Sequence, residues 1–169
     1  MRKRRFARAA ALAAGIAATG CGSGSTSATT GPGSFRDGFS TSQNEFRKLG
    51  TTIARDITDA GAQNNATLAT TFSRLAKRAD QQATQLAELR VPARYKQQVA
   101  SLVAGFHAVR GDLSKISSAA AHRDASSAEA AARTLLRDAA GIKTLDTALS
   151  KALGLPPPSG ARASTTSSG

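Results

Sequence analysis

Residues 95–116 read YKQQVASLVAGFHAVRGDLSKI. Tyr95, Val99, Leu102, Phe106, Val109, Leu113 and Ile116 follow one another in steps of 4-3-4-3-4-3, the a/d spacing of a helical seam. Residues three and four apart lie on one face of a helix, so the spacing gathers all seven into a single apolar stripe. The helix predicted here is about 28 residues long and would span about 42 Å at about 1.5 Å per residue. Pro92 precedes it, and proline is accepted in a first turn but not in a helix interior. The pattern breaks over His122–Ala125.

The same period extends to both sides. Towards the amino terminus, Leu68, Phe72, Leu75, Ala79, Ala83, Leu86 and Leu89 form a second stripe. Before the turn predicted over Gly61–Asn65, Phe39, Phe46, Leu49, Ile53, Ile57 and Ala60 form another, with Ser42 and Glu45 in capping-box spacing. Towards the carboxyl terminus, Ser126 and Glu129 have the spacing of a second capping box. Leu135, Ala139, Ile142, Leu145, Leu149 and Leu153 then run to Gly154, a helix-ending residue. No segment alternates with a period of two. The fold expected is all-α: an antiparallel four-helix up-down-up-down bundle over residues 35–155. Its core is modest: the whole chain has six Phe, Phe6 outside that range among them, no Trp and many alanines.

Both ends have a different composition. Gly22–Ser34 (GSGSTSATTGPGS) reads as a flexible tether, and residues 156–169 hold too little apolar surface to fold. The first twenty residues carry Arg2, Lys3, Arg4, Arg5 and Arg8 without an acid, followed by an apolar run over Ala9–Ala18. This is the layout of a secretory signal peptide, and the run is too short to span a bilayer.

Ala18-Thr19-Gly20-Cys21 follows, and it resembles the lipobox of bacterial lipoproteins. The resemblance implies cleavage between Gly20 and Cys21, a diacylglyceryl group on the Cys21 sulfur, and acylation of the new amino terminus, with palmitate the expected chain. Residues 1–20 would then be the signal peptide and residues 21–34 the lipidated tether. Ala18 departs from the commoner leucine of that motif. Cys21 is the only cysteine, so no intramolecular disulfide can form. Two acyl chains hold a protein on a membrane far more firmly than one. Arg4-Arg5-Phe6 resembles a twin-arginine signal with its phenylalanine one position early, which favours the general secretory route. As a whole the chain resembles small lipoproteins of high-GC Gram-positive bacteria with a lipobox, a Ser/Thr/Gly tether and an Ala-rich helical domain. Leu86-x-x-Leu89-x-Val91-Pro92 followed by Tyr95 is similar to a helix junction in such domains. The resemblance implies an exported protein, lipid-anchored at the outer face of the cell membrane.

The whole chain has 23 Lys+Arg against 11 Asp+Glu, and removing the leader leaves 18 bases against 11 acids, a net +7. No dense basic stripe with interleaved aromatics accompanies that charge, so nucleic acid is not an expected partner. Anionic lipid, a wall polymer or another envelope protein suits a basic exported surface better. Arg74, Lys77, Arg78, Arg94 and Lys96 are the bases singled out for it.

Chemistry is sparse. His107 flanks the third seam and His122 lies in a loop. Neither follows a glutamate by three residues, as a bundle metal site would require. Met1 is the sole methionine, there is no Gly-x-Ser-x-Gly elbow, and the glycine-rich stretches lie outside any strand–helix junction. Asp56 and Asp59 stand one turn apart beside Arg55, as exposed helix charges do. The expectation is a monomer that is no enzyme and has no catalytic residue, metal or cofactor. It would be a membrane-anchored interaction or scaffold module. The alternative is a binding lipoprotein holding a small apolar or anionic ligand between its helices. A cavity lined by Phe46, Phe72 and Phe106 would favour the alternative, and a packed seam with an exposed apolar patch the module. Ala119–Ala121 and Ala128–Ala132 are the small-residue stretches where a groove could open.

Overall fold

The computed structural model describes residues 32–156. Helix α1 runs Pro32–Thr58 and passes through one 3-10 turn, Asp59–Ala62, towards α2 at Asn65–Ala87. A second 3-10 turn, Ala93–Tyr95, leads into α3 at Lys96–His122, and α4 spans Ala125–Ala152. There is no strand among the described residues, and the four helices pack around one core.

Helix α3 is the centre of that core. All seven seam residues are buried, Tyr95 in the 3-10 turn before α3 and the other six on α3 itself. Small residues set how near its neighbours come. Ala76, Ala79 and Ala83 of α2 are buried, so α2 lies close to α3. On the α4 side, a Cβ built on Gly105 would stand 2.8 Å from Ile142 Cγ1, which leaves no room for a side chain there. Helix α1 carries Phe35, Phe39 and Phe46 instead, and helix separation grows with the side chains at the contact. The Phe35 ring stacks on Tyr95 with centroids 5.7 Å apart, and Phe46 meets Phe106 at 4.5 Å. Bulk therefore holds α1 off, and it touches α4 mainly at one end.

Several helix boundaries differ from those read in the sequence. Helix α1 begins at Pro32, three residues inside the expected tether, because proline at a first helical position is already fixed near helical φ. Ser42 and Glu45 do not cap a helix. Helix α1 runs straight through them, Ser42 is buried, and Glu45 pairs with Lys48 at 2.7 Å. At the head of α4 the cap is Asp124, not Ser126. Its carboxylate accepts from Ser127 N at 3.0 Å and from Ser127 Oγ at 2.6 Å, while Glu129 pairs with Arg133. An acidic cap two residues earlier offers both orphan N–H relief and charge complementarity to the helix dipole. Asn64 caps α2 in the same way, accepting from Thr67 N at 2.9 Å.

The connection between α3 and α4 is a Schellman turn. Arg123 adopts a left-handed φ of 57°, its N–H bonds Ala120 O at 3.1 Å, and Asp124 N–H bonds Ala119 O at 2.9 Å. Gly154, with φ 64°, closes α4 by the same pattern, with Leu155 N–H on Ser150 O at 2.9 Å.

Candidate functional site

The apolar stripe of α4 is only partly covered. Leu135 and Leu149 are buried, Ile142, Leu145 and Leu153 are half-buried, and Ala139 is exposed. Ala139 belongs to the wall of a cleft, not to the core, because α1 stands away from α4 at that level. This lateral cleft encloses about 390 Å³. Phe46, Ile53, Phe106, Val109, Ala139 and Ile142 make its apolar lining, and exposed Arg47 and Lys143 stand on its rim beside Asp146.

A second cleft of about 550 Å³ opens where α1 hands over to α2 and α3 to α4. Phe72 and Ile116 form its floor, and Ala119, Ala120, Ala128 and Ala132 line its wall. The small residues singled out in the sequence thus border open space. Phe46 and Phe106 share the lateral cleft, whereas Phe72 belongs to the second. Ile53 and Ile57, one helical turn apart on α1, border the two clefts in succession. Leu136 is the one exposed large hydrophobic among the described residues, at 58%. It lies one turn from both Ala132 and Ala139, which line the second and the lateral cleft, but lines neither itself.

A polar clasp closes the α1/α4 seam at the other end of α1. Gln43, Asp146 and Ser150 meet there, with Gln43 and Ser150 buried. Gln43 Nε2 donates to Asp146 Oδ1 at 3.1 Å and also reaches Ser150 Oγ, whose own proton goes to Asp146 O at 2.6 Å. Burial pushes the Asp146 carboxyl above the ordinary carboxylate range, against the Gln43 hydrogen bond and the charge of Arg47, which pull it down. Nothing in the apolar spacing marked Gln43 or Ser150, since the clasp exists only once two distant helices meet. Asp112 of α3 is a second buried polar group the spacing missed. One oxygen takes Lys115 Nζ at 3.0 Å and the other, Oδ2, has no hydrogen-bond partner among the described residues.

The remaining titratable groups read as surface chemistry. His107 and Arg110 both approach Asp80, at 3.6 and 3.4 Å, and His122 Nδ1 lies 2.8 Å from Ser118 O. Asp56 pairs with Arg55 at 3.4 Å. No group of three metal-ligating side chains occurs among the described residues. The bases singled out in the sequence separate into two places. Arg74, Lys77 and Arg78 lie along α2, whereas Arg94 and Lys96 lie at the bundle end where α3 begins. Gly20 and Cys21, the expected cleavage and lipidation residues, lie outside the described residues, as do the rest of the leader and the tail beyond Pro156. No helix among the described residues is long and apolar enough to cross a membrane. No family model, curated protein or solved structure matches the chain.

Proposed function

We propose that the protein is a cell-envelope lipoprotein, held at the outer face of the cell membrane through acylated Cys21, whose bundle binds a small apolar molecule bearing an anionic group. The observation that carries the binding role is the lateral cleft between α1 and α4. Its volume of about 390 Å³ lies in the range of small-molecule sites, its lining is apolar, and its rim holds Arg47 and Lys143. The Ala18-Thr19-Gly20-Cys21 lipobox and the preceding basic and apolar run support the anchor. We assign the protein no catalytic step.

The connectivity proposed is antiparallel, up-down-up-down. Four neighbour relations support it: Phe35 with Tyr95, Gly38 beside Leu89, Gly105 beside Ile142, and Gln43 with Asp146. The first joins the beginnings of α1 and α3. The other three bring an early part of α1 beside the chain just after α2, the middle of α3 beside the middle of α4, and the first half of α1 beside the last part of α4.

Native mass spectrometry of the protein purified from its own host tests the binding role. A co-purifying small molecule is expected, and Ala139→Phe, which fills the cleft, should remove it. A bare polypeptide mass overturns this role. Feeding a fatty-acid analogue tests the anchor separately: wild type should be labelled and Cys21→Ser should not. A second reading, an interaction module for an envelope protein, is favoured by exposed Leu136, one turn from the cleft-lining Ala132 and Ala139. It would be supported by a bare polypeptide mass together with a defined partner whose binding Leu136→Asp abolishes.

A further inference from the structure

Five bases drawn from three separate stretches of chain gather at one end of the bundle: Arg36, then Arg90, Arg94 and Lys96, and Lys151. The end is fixed by contacts among these stretches. Arg36 donates to Gly154 O at 3.1 Å, the Tyr95 hydroxyl donates to Ala152 O at 3.1 Å, and Phe35 stacks on Tyr95. The only acids on the same stretches are Asp37 and Glu88. None of the five bases is ion-paired with a carboxylate among the described residues, and all are exposed.

Elsewhere on the bundle five bases find acids, while Arg47, Arg74, Lys77, Arg78, Arg123, Arg137 and Lys143 form no ion pair among the described residues. Lys48, Arg55, Arg110, Lys115 and Arg133 each have a carboxylate within 3.5 Å. The far end, with Arg55, Lys115, Arg123 and Arg133, holds Asp56, Asp59, Asp124 and Glu129, so there acids and bases balance. The bundle is therefore polarised along its length. The positive end also exposes Pro156 and leaves Val91, Pro92 and Leu155 half-covered among the bases.

The polarity coincides with where the chain leaves. Pro32 opens α1 and Pro156 follows α4, both at the positive end. Ten residues separate Cys21 from Pro32, so whatever their conformation the chain between them reaches no further than about 40 Å at about 3.3–3.6 Å per residue. The far end lies about 40 Å further along α1 at about 1.5 Å per residue. Attraction to a charged surface decays over about 8 Å at physiological ionic strength, so a bundle standing on its tethered end presents only that end to it.

We propose that this end is a docking surface for an anionic lipid bilayer, on which the bundle stands upright with the α1/α4 clefts free at its side. The proposal rests on the membrane-anchored reading for its biological setting, but its surface chemistry is testable without the anchor. Arg36, Arg90, Arg94, Lys96 and Lys151 meet phosphate headgroups, and Val91 and Leu155 meet the interface between them.

The test uses the chain from residue 21 onward carrying Cys21→Ser, which keeps every described residue and cannot be lipidated. Its binding to phosphatidylcholine vesicles, with and without phosphatidylglycerol, is measured at low and physiological salt. Binding should require phosphatidylglycerol and weaken with salt. R90E/R94E/K96E should weaken it by about tenfold or more, given what each base near a charged surface is worth. R74E/K77E/R78E changes net charge equally at the side of the bundle and should leave binding nearly unchanged. Helical circular dichroism on both variants establishes that each is folded. No binding to the anionic vesicles, or equal losses in the two variants, overturns the proposal. Binding to an anionic wall polymer but not to vesicles also overturns it and assigns the surface to the wall. Failure of fatty-acid labelling on wild-type Cys21, with vesicle binding intact, would sink the anchor and leave this surface standing.

Discussion

Gln43 Nε2 donates to both carboxylate oxygens of Asp146, at 3.1 and 3.2 Å, and so ties α1 to α4 across 103 positions of chain. Further along, the lateral cleft separates Phe46–Ile53 from Ala139–Asp146, and the clasp joins the two helices at one end together with the Arg36–Gly154 hydrogen bond. A half-buried carboxylate needs such a donor, because an unmade hydrogen bond in a desolvated site costs more than a made one contributes.

Gln43→Ala should therefore destabilise the bundle by about 1–3 kcal/mol, the cost of leaving a buried polar group unsatisfied. Urea denaturation of wild type and variant measures the difference. The cleft should also loosen, so protection of α1 amides from hydrogen exchange should fall more than that of α3 amides. Uniform loss of protection across both helices would show that the clasp has no local role.

Stability should depend on Asp146 with a definite sign. Its folded-state pKa is raised by burial, so between the ordinary value of 3.8 and the raised one the folded protein holds more protons than the unfolded chain. The contribution is full below the ordinary value and is lost as pH rises through the raised one. Asp146→Asn keeps an acceptor for Gln43 and cannot ionise. The stability of Asp146→Asn relative to wild type should rise with pH across that window and level off above it. The urea midpoint of both proteins against pH provides the check, and parallel curves would mean that Asp146 is not desolvated.

Phe106 is 3% exposed, at the middle of the α3 seam, and its ring lies 4.5 Å from that of Phe46. Phe106→Ala should cost about 3–5 kcal/mol, the usual loss for a phenylalanine removed from a packed core. It should also merge the lateral cleft with the vacated space. A loss below about 1 kcal/mol, against that usual range, would mean that the cleft collapses to fill the site.

Two glycines of α3 should respond oppositely to the same change. At Gly111 an added Cβ meets nothing within 4 Å, so Gly111→Ala should stabilise by about 0.5–1 kcal/mol through helix propensity. At Gly105 the added Cβ would stand 2.8 Å from Ile142 Cγ1, so Gly105→Ala should destabilise by about 1–3 kcal/mol through overpacking. Ile142→Ala should relieve part of the Gly105→Ala loss in a double-mutant cycle. Additive effects would show that α3 and α4 do not meet there.

The sequence legibly encoded the helices that bury one complete face. Helix α3 is the clear case, since every seam residue chosen by spacing is buried, and the α2 stripe from Phe72 to Leu86 is nearly as complete. The α4 stripe was less legible. Ala139 has the right spacing for the core yet is exposed, while Ser150 is buried with the wrong polarity. Spacing assumes a partner on the apolar side, and α4 has only part of one. The caps were misread for a related reason. Ser42 with Glu45 and Ser126 with Glu129 have the right spacing, but an intact helix runs through the first pair and Asp124 takes the role at the second.

By itself, then, the sequence determined the number of helices and the identity of the central seam, because a 3.6-residue period is a local property of each stretch. Only the tertiary structure decided the clefts, the Gln43–Asp146 clasp and the basic end. Each depends on the distance between helices remote in sequence. That distance is set where glycine and alanine let α2 and α4 close on α3 and phenylalanine holds α1 away.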